Sequence, residues 1–470
     1  MADPRNRRYD VLVVGGGPAG IGAAVAAGRA GRSVLLIESA PFLGGCLTMD
    51  ISFNAFHSQE GRKILGGLPQ ELVDRLVALG GSLGHISCPG NTSRSITPVD
   101  PEIVKYVAQE LVLESGANLL LHSRVTEAVM KEGSVCGVLI HSKSGTQEIR
   151  AGVVVDCTGD GDIAASAGAP FVKGREGDGA MQAVTLMFRL AHVDTDLMPE
   201  YFTERVTYAT KPGKDKPTYL RSHGYFDKWL DIIAAEKVFD PPHHFAAVGS
   251  LRDGELKFNT TRIAGVDGTD TWDLTRAEVE GRRQVMRLHK FLKEHVPGFK
   301  NSAIISTGPF IGIRETRHIL GGYLLTADDV LSGRDFPDNV ARGGFPMDVH
   351  KPDGSGIYQR YNRSGKSYGI PYRILVPNAV DQLLVAGRCV SADHWAAASV
   401  RVMGQSMAMG QAAGTAAALS LQRNQTPRTL DTDYLRAELR RQGAILEESD
   451  SSEQFTDSDD SQMLLGEIER

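Results

Sequence analysis

The sequence predicts an α/β protein whose mostly parallel sheet, flanked by helices, is interrupted by a separate α+β region. Three observations predict it. Apolar runs of strand length alternate with helical stretches rich in small residues at both ends of the chain, the pattern of a sheet covered on both faces. A glycine-rich turn joins the first such strand to the first such helix. The middle of the chain is more aromatic, charged and turn-rich than either end.

The elements follow in order. Tyr9 to Val14 is a short apolar run, GGGPAG comes next, Ile21 to Gly31 is an alanine-rich helix, and Val34 to Glu38 is a second strand, completing one βαβ unit. After Pro101, apolar positions at Ile103, Val104, Val107 and Leu111 mark a helix before the strand at Leu119 to Leu121. Turn signals at Glu132-Gly133 and Ser144-Gly145 divide the stretch from Val125 into an antiparallel excursion, which ends in the buried strand Gly152 to Asp156. From about Leu190 to Arg363 the joints are rich in Pro, Asp and Lys, as expected of a region facing a substrate. The opening style returns near Pro371, with a strand at Gln382 to Gly387 and a helix from Gly404 to Leu419. The expected division is 1–190 for the first part of the parallel-sheet domain, 191–365 for a cap domain, and 366–425 for the C-terminal part of the first domain. Residues 426–470 hold a short helix, Tyr434 to Gln442, and a Ser/Asp/Glu tail too polar to build a core and expected to be mobile.

Composition removes several function classes. The chain carries 51 Lys+Arg against 57 Asp+Glu, and seven of those acids sit between Glu447 and Asp460, so the body is close to neutral. A nucleic-acid protein needs a basic stripe to displace counterions, and none is expected here. No window approaches the ~18 apolar residues of a membrane span. The first ten residues lead into a strand with no secretory apolar core, which sets the expectation of a cytoplasmic protein. Five cysteines without CxxC spacing suggest neither a disulfide framework nor a zinc site, and no metal is expected.

The chemistry begins at Gly15-x-Gly17-x-x-Gly20, which follows a strand, opens a helix, and is succeeded eighteen residues after Gly20 by Glu38 at the end of the next strand. That is the full context of a Rossmann-like dinucleotide fingerprint. Gly15 permits the tight turn, Gly17 lets backbone approach a pyrophosphate, and Gly20 lets helix and strand pack closely, while the helix N-terminus meets the anion. Glu38 suits paired ribose hydroxyls and repels a 2′-phosphate, so NADP is disfavoured; the fingerprint alone does not separate FAD from NAD. Gly44-Gly45-Cys46-Leu47-Thr48 then offers paired glycines beside which an extended ligand can run. Thr158-Gly159-Asp160 closes another buried strand and reads as a loop reaching the same ligand from a second side. A third cluster runs from Gly387-Arg388 to Gly404-Gln405-Ser406, where a helix N-terminus would stabilise negative charge on a reduced isoalloxazine.

These segments together resemble the FAD-dependent oxidoreductases related to the succinate dehydrogenase and fumarate reductase flavoproteins. The resemblance rests on GGGPAGIGAAVAAGRAG with IES and LGG, VVVDCTGDGDIAASAGAP, GPFIGIRETRHILGGYLLTADDVL, YGIPYRILVP, and LLVAGRCVSADHWAAASVRVMGQSMAMGQAAGTAAAL. It implies a glutathione-reductase-like FAD domain interrupted by a cap. It also implies bound FAD, held along Gly15, Gly17, Pro18, Ala19 and Gly20, with Glu38 and Ser39 at the adenosine ribose and the backbone of Val125 near the adenine. Gly44, Gly45, Cys46 and Thr48 are expected beside the cofactor, Thr158, Gly159 and Asp160 along its adenosine half, and Gly387, Arg388, Gly404, Gln405 and Ser406 at its ribityl and pyrimidine end. Arg388 stands where many related flavoproteins carry an acid. Cys46 has no nearby cysteine for dithiol chemistry.

Three residues are candidate reacting groups. Arg401 resembles the arginine that binds and protonates dicarboxylates in the related enzymes, an anion clamp whose alternative is a structural salt bridge. His394 is placed to move a proton beside the flavin, or is a satisfied structural histidine. Arg317 belongs to Arg314-Glu315-Thr316-Arg317-His318, where an extended chain puts Arg314, Thr316 and His318 on one face and Glu315 and Arg317 on the other, as an ion-pair network with Arg317 or His318 reaching the site. His243-His244 and His350 are noted only because the cap should cover the substrate. The leading expectation is a dehydrogenase or reductase that moves a hydride between the flavin and a small to medium organic molecule, with the arginines favouring an anionic one, and with an unidentified electron partner. A flavin monooxygenase or halogenase, and a non-catalytic electron-transfer flavoprotein, are the alternatives.

Overall fold

A computed structural model describes residues 8–87, 94–200, 207–209, 219–239, 243, 245–363 and 365–454. The chain opens with β1 (Tyr9–Val14), α1 (Pro18–Arg29) and β2 (Val34–Ile37). Both strands are almost wholly buried, as their unbroken apolar runs require. Then come α2 (Pro101–Glu114), whose first turn is capped by the Asp100 side chain, and β3 (Asn118–Leu120). The excursion follows as β4 (Arg124–Lys131) and β5 (Ser134–Ser142).

The next strand, β6 (Gly145–Asp156), is longer than expected and does two jobs. Its first half pairs antiparallel with β5, and its second half pairs parallel with β1, matching Val11 to Val153 and Val13 to Val155. One continuous strand thus fuses the excursion to the parallel sheet.

The middle of the chain forms a second, six-stranded antiparallel sheet from β7 (Phe188–Ala191), β8 (Thr207–Ala209), β9 (Tyr219–Tyr225), β10 (Phe245–Ser250), β11 (Leu256–Asn259) and β12 (Ala303–Thr307), in the order β8-β9-β10-β11-β7-β12. The long helix α3 (Thr271–His295) packs on it through Ala277, Val285, Leu288, Phe291 and Leu292, and the Asp270 side chain caps its first turn. This second core runs from Val184 to Ile311. Ile319, Leu325, Val330, Phe336, Val340 and Met347 belong instead to the main core. The second core thus takes in residues just ahead of Leu190, and the segment after Ile319 packs against the main core.

Late elements close the first sheet. The hairpin strand β13 (Met347–His350) precedes β14 (Leu383–Val385), which pairs parallel with β6 at Val154 to Asp156. Then α4 (His394–Val400) leads into α5 (Met403–Gln422), whose glycines let it lie directly on α1. A Cβ on Gly410 would stand 1.9 Å from the Ala19 carbonyl oxygen, and one on Gly414 would stand 2.1 Å from that of Ala23. After α6 (Thr432–Arg441), the start of the tail is not loose: Glu447 pairs with Arg436 and Arg440, Asp450 with Arg440, and Glu453 with Lys63. The remainder of the tail lies outside the described residues.

Candidate functional site

A cavity of about 850 Å³ is lined by the first glycine turn, the strand ends of the parallel sheet and side chains of the second sheet. Its first wall is made mainly of backbone. Gly15 has φ 98°, and a Cβ there would lie 2.4 Å from the Cys157 carbonyl oxygen, so only glycine fits. Gly17 is different: no atom lies within 4 Å of where its Cβ would stand, and it caps α1 with no side-chain partner for the first-turn N–H groups. An open approach to uncapped helix N–H groups is what a pyrophosphate needs.

Glu38 anchors this wall. Its Oε2 accepts from Gly16 N at 2.6 Å, and its Oε1 accepts from Ala40 N at 2.7 Å and from the Ser39 hydroxyl at 3.0 Å. A carboxylate has about four acceptor sites, so capacity for a ribose hydroxyl remains. The opposite loop is held by buried Asp156, which accepts from Thr158 N, the Thr158 hydroxyl, Ile163 N and Ala164 N. Arg388 then ties this loop to a distant segment. Its Nε donates to Gly159 O at 2.8 Å, its Nη2 to Asp160 Oδ1 at 2.6 Å, and its Nη1 to Ile313 O. The residue that replaces the familiar acid is therefore a clamp on backbone.

Most expected cofactor positions come together on the cavity wall: Gly15, Gly17, Pro18, Ala19, Glu38, Ser39, Gly45, Cys46, Thr158, Gly159, Asp160, Gly387, Arg388 and Ser406. The others do not reach it. Gly20 packs beneath the turn, where a Cβ would meet Gly15 O at 1.7 Å. Gly44 donates to Gly16 O, and Thr48 donates to Gly45 O, so both shape the loop from behind. Val125 lies on β4 outside the lining. Gly404 is pressed against Asn54 O, and Gln405 is fully buried in the packing of α5.

The second wall is made of side chains. Arg401, at the end of α4, lines the cavity and donates to Asp348 O at 3.2 Å. His394 and Arg317 are not in the lining. His394 Nδ1 lies 2.7 Å from Glu315 Oε1, and His318 Nε2 lies 2.9 Å from the same oxygen. Glu315 and His318, expected on opposite faces, thus bond to each other, because regular strand begins only at Arg317. Burial opposes ionisation of Glu315, but the hydrogen bonds from His318 and His394 outweigh it and lower the carboxyl to about 2. Arg317 donates to Asp160 O and Asp162, bracing the loop from outside.

Arg314, Asp348 and His350 line the same wall, and the sequence reading gave none of them a catalytic part. Arg314 donates to Ala183 O at 2.6 Å; burial, followed by the neighbouring charge of Arg401, lowers its guanidinium to about 9. Asp348 is held well below the carboxylate range despite its burial by His350 and Arg401. His243 also lines the cavity; His244 lies outside the described residues.

Two similar curated proteins are lipid reductases by name. The digeranylgeranylglycerophospholipid reductase 2 of Methanothermobacter thermautotrophicus is 34% identical over 166 residues, 34% of this chain and 42% of that protein. The digeranylgeranylglycerophospholipid reductase of Methanospirillum hungatei is 30% identical over 163 residues, 33% of this chain and 39% of that one. The match spans less than half the length of these relatives. Among solved structures, a geranylgeranyl bacteriochlorophyll reductase-like protein from Thermoplasma acidophilum aligns with a TM-score of 0.44 at 14% identity, covering 93% of this chain and 84% of that one. Among the described residues no helix is long and apolar enough to cross a membrane. The profile of the family described as FAD dependent oxidoreductase matches residues 10–439, and the chain belongs to that family: it is an FAD-dependent oxidoreductase.

Proposed function

We propose that this enzyme is a dehydrogenase or reductase that moves a hydride between FAD and a small to medium organic substrate bound against the second wall of the cavity. The observation that carries the reading is that the dinucleotide turn and a set of buried polar side chains line one and the same cavity. In this reading residues 1–190 and 366–425 are chiefly the FAD domain and the intervening region covers the substrate. The α1 N-terminus at Gly17 takes the pyrophosphate, Glu38 the adenosine ribose, and Gly387 with Ser406 the flavin end. The backbone of Val125 serves the adenine.

Bound FAD supplies a two-electron acceptor or donor at the cavity. The protein's own groups do the rest. Arg401 and Arg314 orient a substrate that carries an anionic group, and the closed wall around them keeps the dielectric low, so each guanidinium is worth more than in water. Arg401 is also the residue that supports kinship with the succinate and fumarate flavoproteins. The names of the curated relatives support the reductive direction and a partly apolar substrate, for which Met187, Phe310 and Phe345 offer wall. A reducing compartment agrees with the free thiols of Cys46, Cys136, Cys157 and Cys389.

The test is anaerobic. FAD-loaded protein is mixed with a metabolite panel and flavin absorbance is followed; one member bleaches it, and Arg401→Ala slows that bleaching by about 100-fold. Purified protein that neither retains FAD nor regains activity with it refutes the reading. Oxygen-dependent hydroxylation or halogenation of the same molecule replaces it with the monooxygenase alternative.

A further inference from the structure

Asp348 and His350 alternate on β13, which puts both side chains on one face, and both line the cavity. His350 Nε2 lies 3.4 Å from Asp348 Oδ2. The pair is braced on each side: Gln359 donates to Asp348 Oδ1 at 2.7 Å, and His350 N donates to Gln182 Oε1 at 3.2 Å. Arg401 donates to the Asp348 carbonyl oxygen, which ties the hairpin to the end of α4. The other ring nitrogen, His350 Nδ1, is buried with no hydrogen-bond partner. Leaving such an atom unpaired carries the full cost of its desolvation, and groups left so in a folded protein call for an explanation.

We infer that His350 takes the proton of the substrate during hydride transfer, with Asp348 as the residue that sets its tautomer, an assignment that rests on the function proposed above. The anionic Asp348 accepts from Nε2–H, which leaves the lone pair on Nδ1 free. Separations of this kind are often long before substrate binds and tighten in the complex. The charged groups facing the ring are Asp348 on its own strand, Arg314 from the segment before His318, and Arg401 from α4. Burial comes first, then the field of Arg314; together they lower the imidazole to about 3, so the ring is neutral at working pH but a weak base. An anionic substrate paired with Arg314 and Arg401 is what removes that field and raises its basicity.

The step balances as follows. The C–H bond of the substrate breaks and its electron pair leaves with the hydrogen as hydride to oxidised FAD, which gains two electrons. A shift of the ring on substrate binding uncovers His350 Nδ1, which is otherwise sealed from the cavity. The proton on the adjacent oxygen or nitrogen of the substrate passes to it, and a C=O or C=N bond forms. The imidazolium so produced is stabilised by Asp348. In the reductive direction the same nitrogen hands the proton back.

The experiment uses the FAD-loaded full chain. With ¹⁵N-histidine label, and the His350 signals identified by their loss in His350→Gln, Nδ1 should be unprotonated and Nε2 protonated from pH 6 to pH 8. A panel of secondary alcohols, amines and 2-hydroxy acids is then tested anaerobically, and the member that bleaches wild-type flavin fastest is carried into the variants. His350→Gln should slow bleaching by about 10²-fold or more while FAD content and Tm hold. Added imidazole should restore part of the rate in His350→Ala, and Asp348→Asn should shift the pH profile, neither of which follows from a structural role. A proton resident on Nδ1, or wild-type bleaching by His350→Gln, overturns the assignment and leaves the proposed function intact. A chain that holds no FAD overturns both. If no panel member bleaches the flavin, the tautomer decides alone.

Discussion

The two walls of the cavity are built from different materials. The nucleotide wall is backbone brought close by missing side chains: Gly15 under Cys157, Gly20 under its own turn, and Gly410 and Gly414 against α1. The substrate wall is the reverse, a set of buried and half-buried polar side chains, the charged Arg314, Asp348 and Arg401 with the neutral His350, contributed by three separate segments. A wall made of backbone tolerates almost no added volume. A wall made of charges tolerates volume better but depends on partners and on pH.

That contrast can be broken first at the glycines, where the effect should be largest. Gly410→Ala drives a methyl into a backbone carbonyl that has nowhere to go, so α5 and α1 must separate; the expected cost is about 3 kcal/mol or more, with loss of retained flavin. Thermal unfolding and flavin absorbance measure both. Gly17→Ala has open space and an ordinary φ of −73°. It should keep stability within about 1 kcal/mol while weakening FAD binding, and equal losses in the two variants would erase the distinction.

The second effect belongs to the charged side. Glu315→Gln removes the carboxylate shared by His318 and His394 and should cost about 2–3 kcal/mol at pH 7. The folded carboxyl sits at about 2, below its unfolded value of ~4.3. Its contribution is therefore complete above the unfolded value and is lost as pH falls through the folded one. Urea unfolding at pH 7 and pH 3 should show the gap between wild type and variant narrowing in acid; a constant gap would mean the carboxylate charge is not what matters. The smallest effect is expected at Arg317, whose partner Asp162 is half exposed. Arg317→Ala should change stability by about 1 kcal/mol or less and leave the rate of flavin bleaching within about twofold, read by Tm and anaerobic spectroscopy.

The same contrast explains what was legible in the sequence. Close backbone approach requires glycine, and glycine at fixed spacing is visible, so Gly15, Gly17, Glu38, the Thr158–Asp160 loop and Gly387 were all found on the wall. Gly404 and Gln405 do not reach the lining, and the sequence could not show it, because α5 is made of small and apolar residues all round and nothing marks which side faces the cavity. His394 drew attention by lying close to the glycine cluster, yet α4 starts there and carries the ring to Glu315. His350 carried a readable hint, since Asp-x-His on a strand places both groups on one face. It was noted only as a histidine of the region covering the substrate, with no catalytic part, because such a short hairpin strand has no strong pattern of its own. Arg314 was missed by assuming an alternation that begins only three residues later.

The first sheet is completed late in synthesis. The upper half of β6 gains its second neighbour only from Leu383–Val385, and α1 is covered only when residues up to Gln422 are present. On the ribosome, then, Val154 and Val155 present an unpaired edge throughout synthesis of the middle of the chain, a surface open to wrong partners. Cofactor capture therefore waits for these late residues, and a nascent chain stopped short of β14 should call on chaperones rather than accumulate as a flavin-binding fragment.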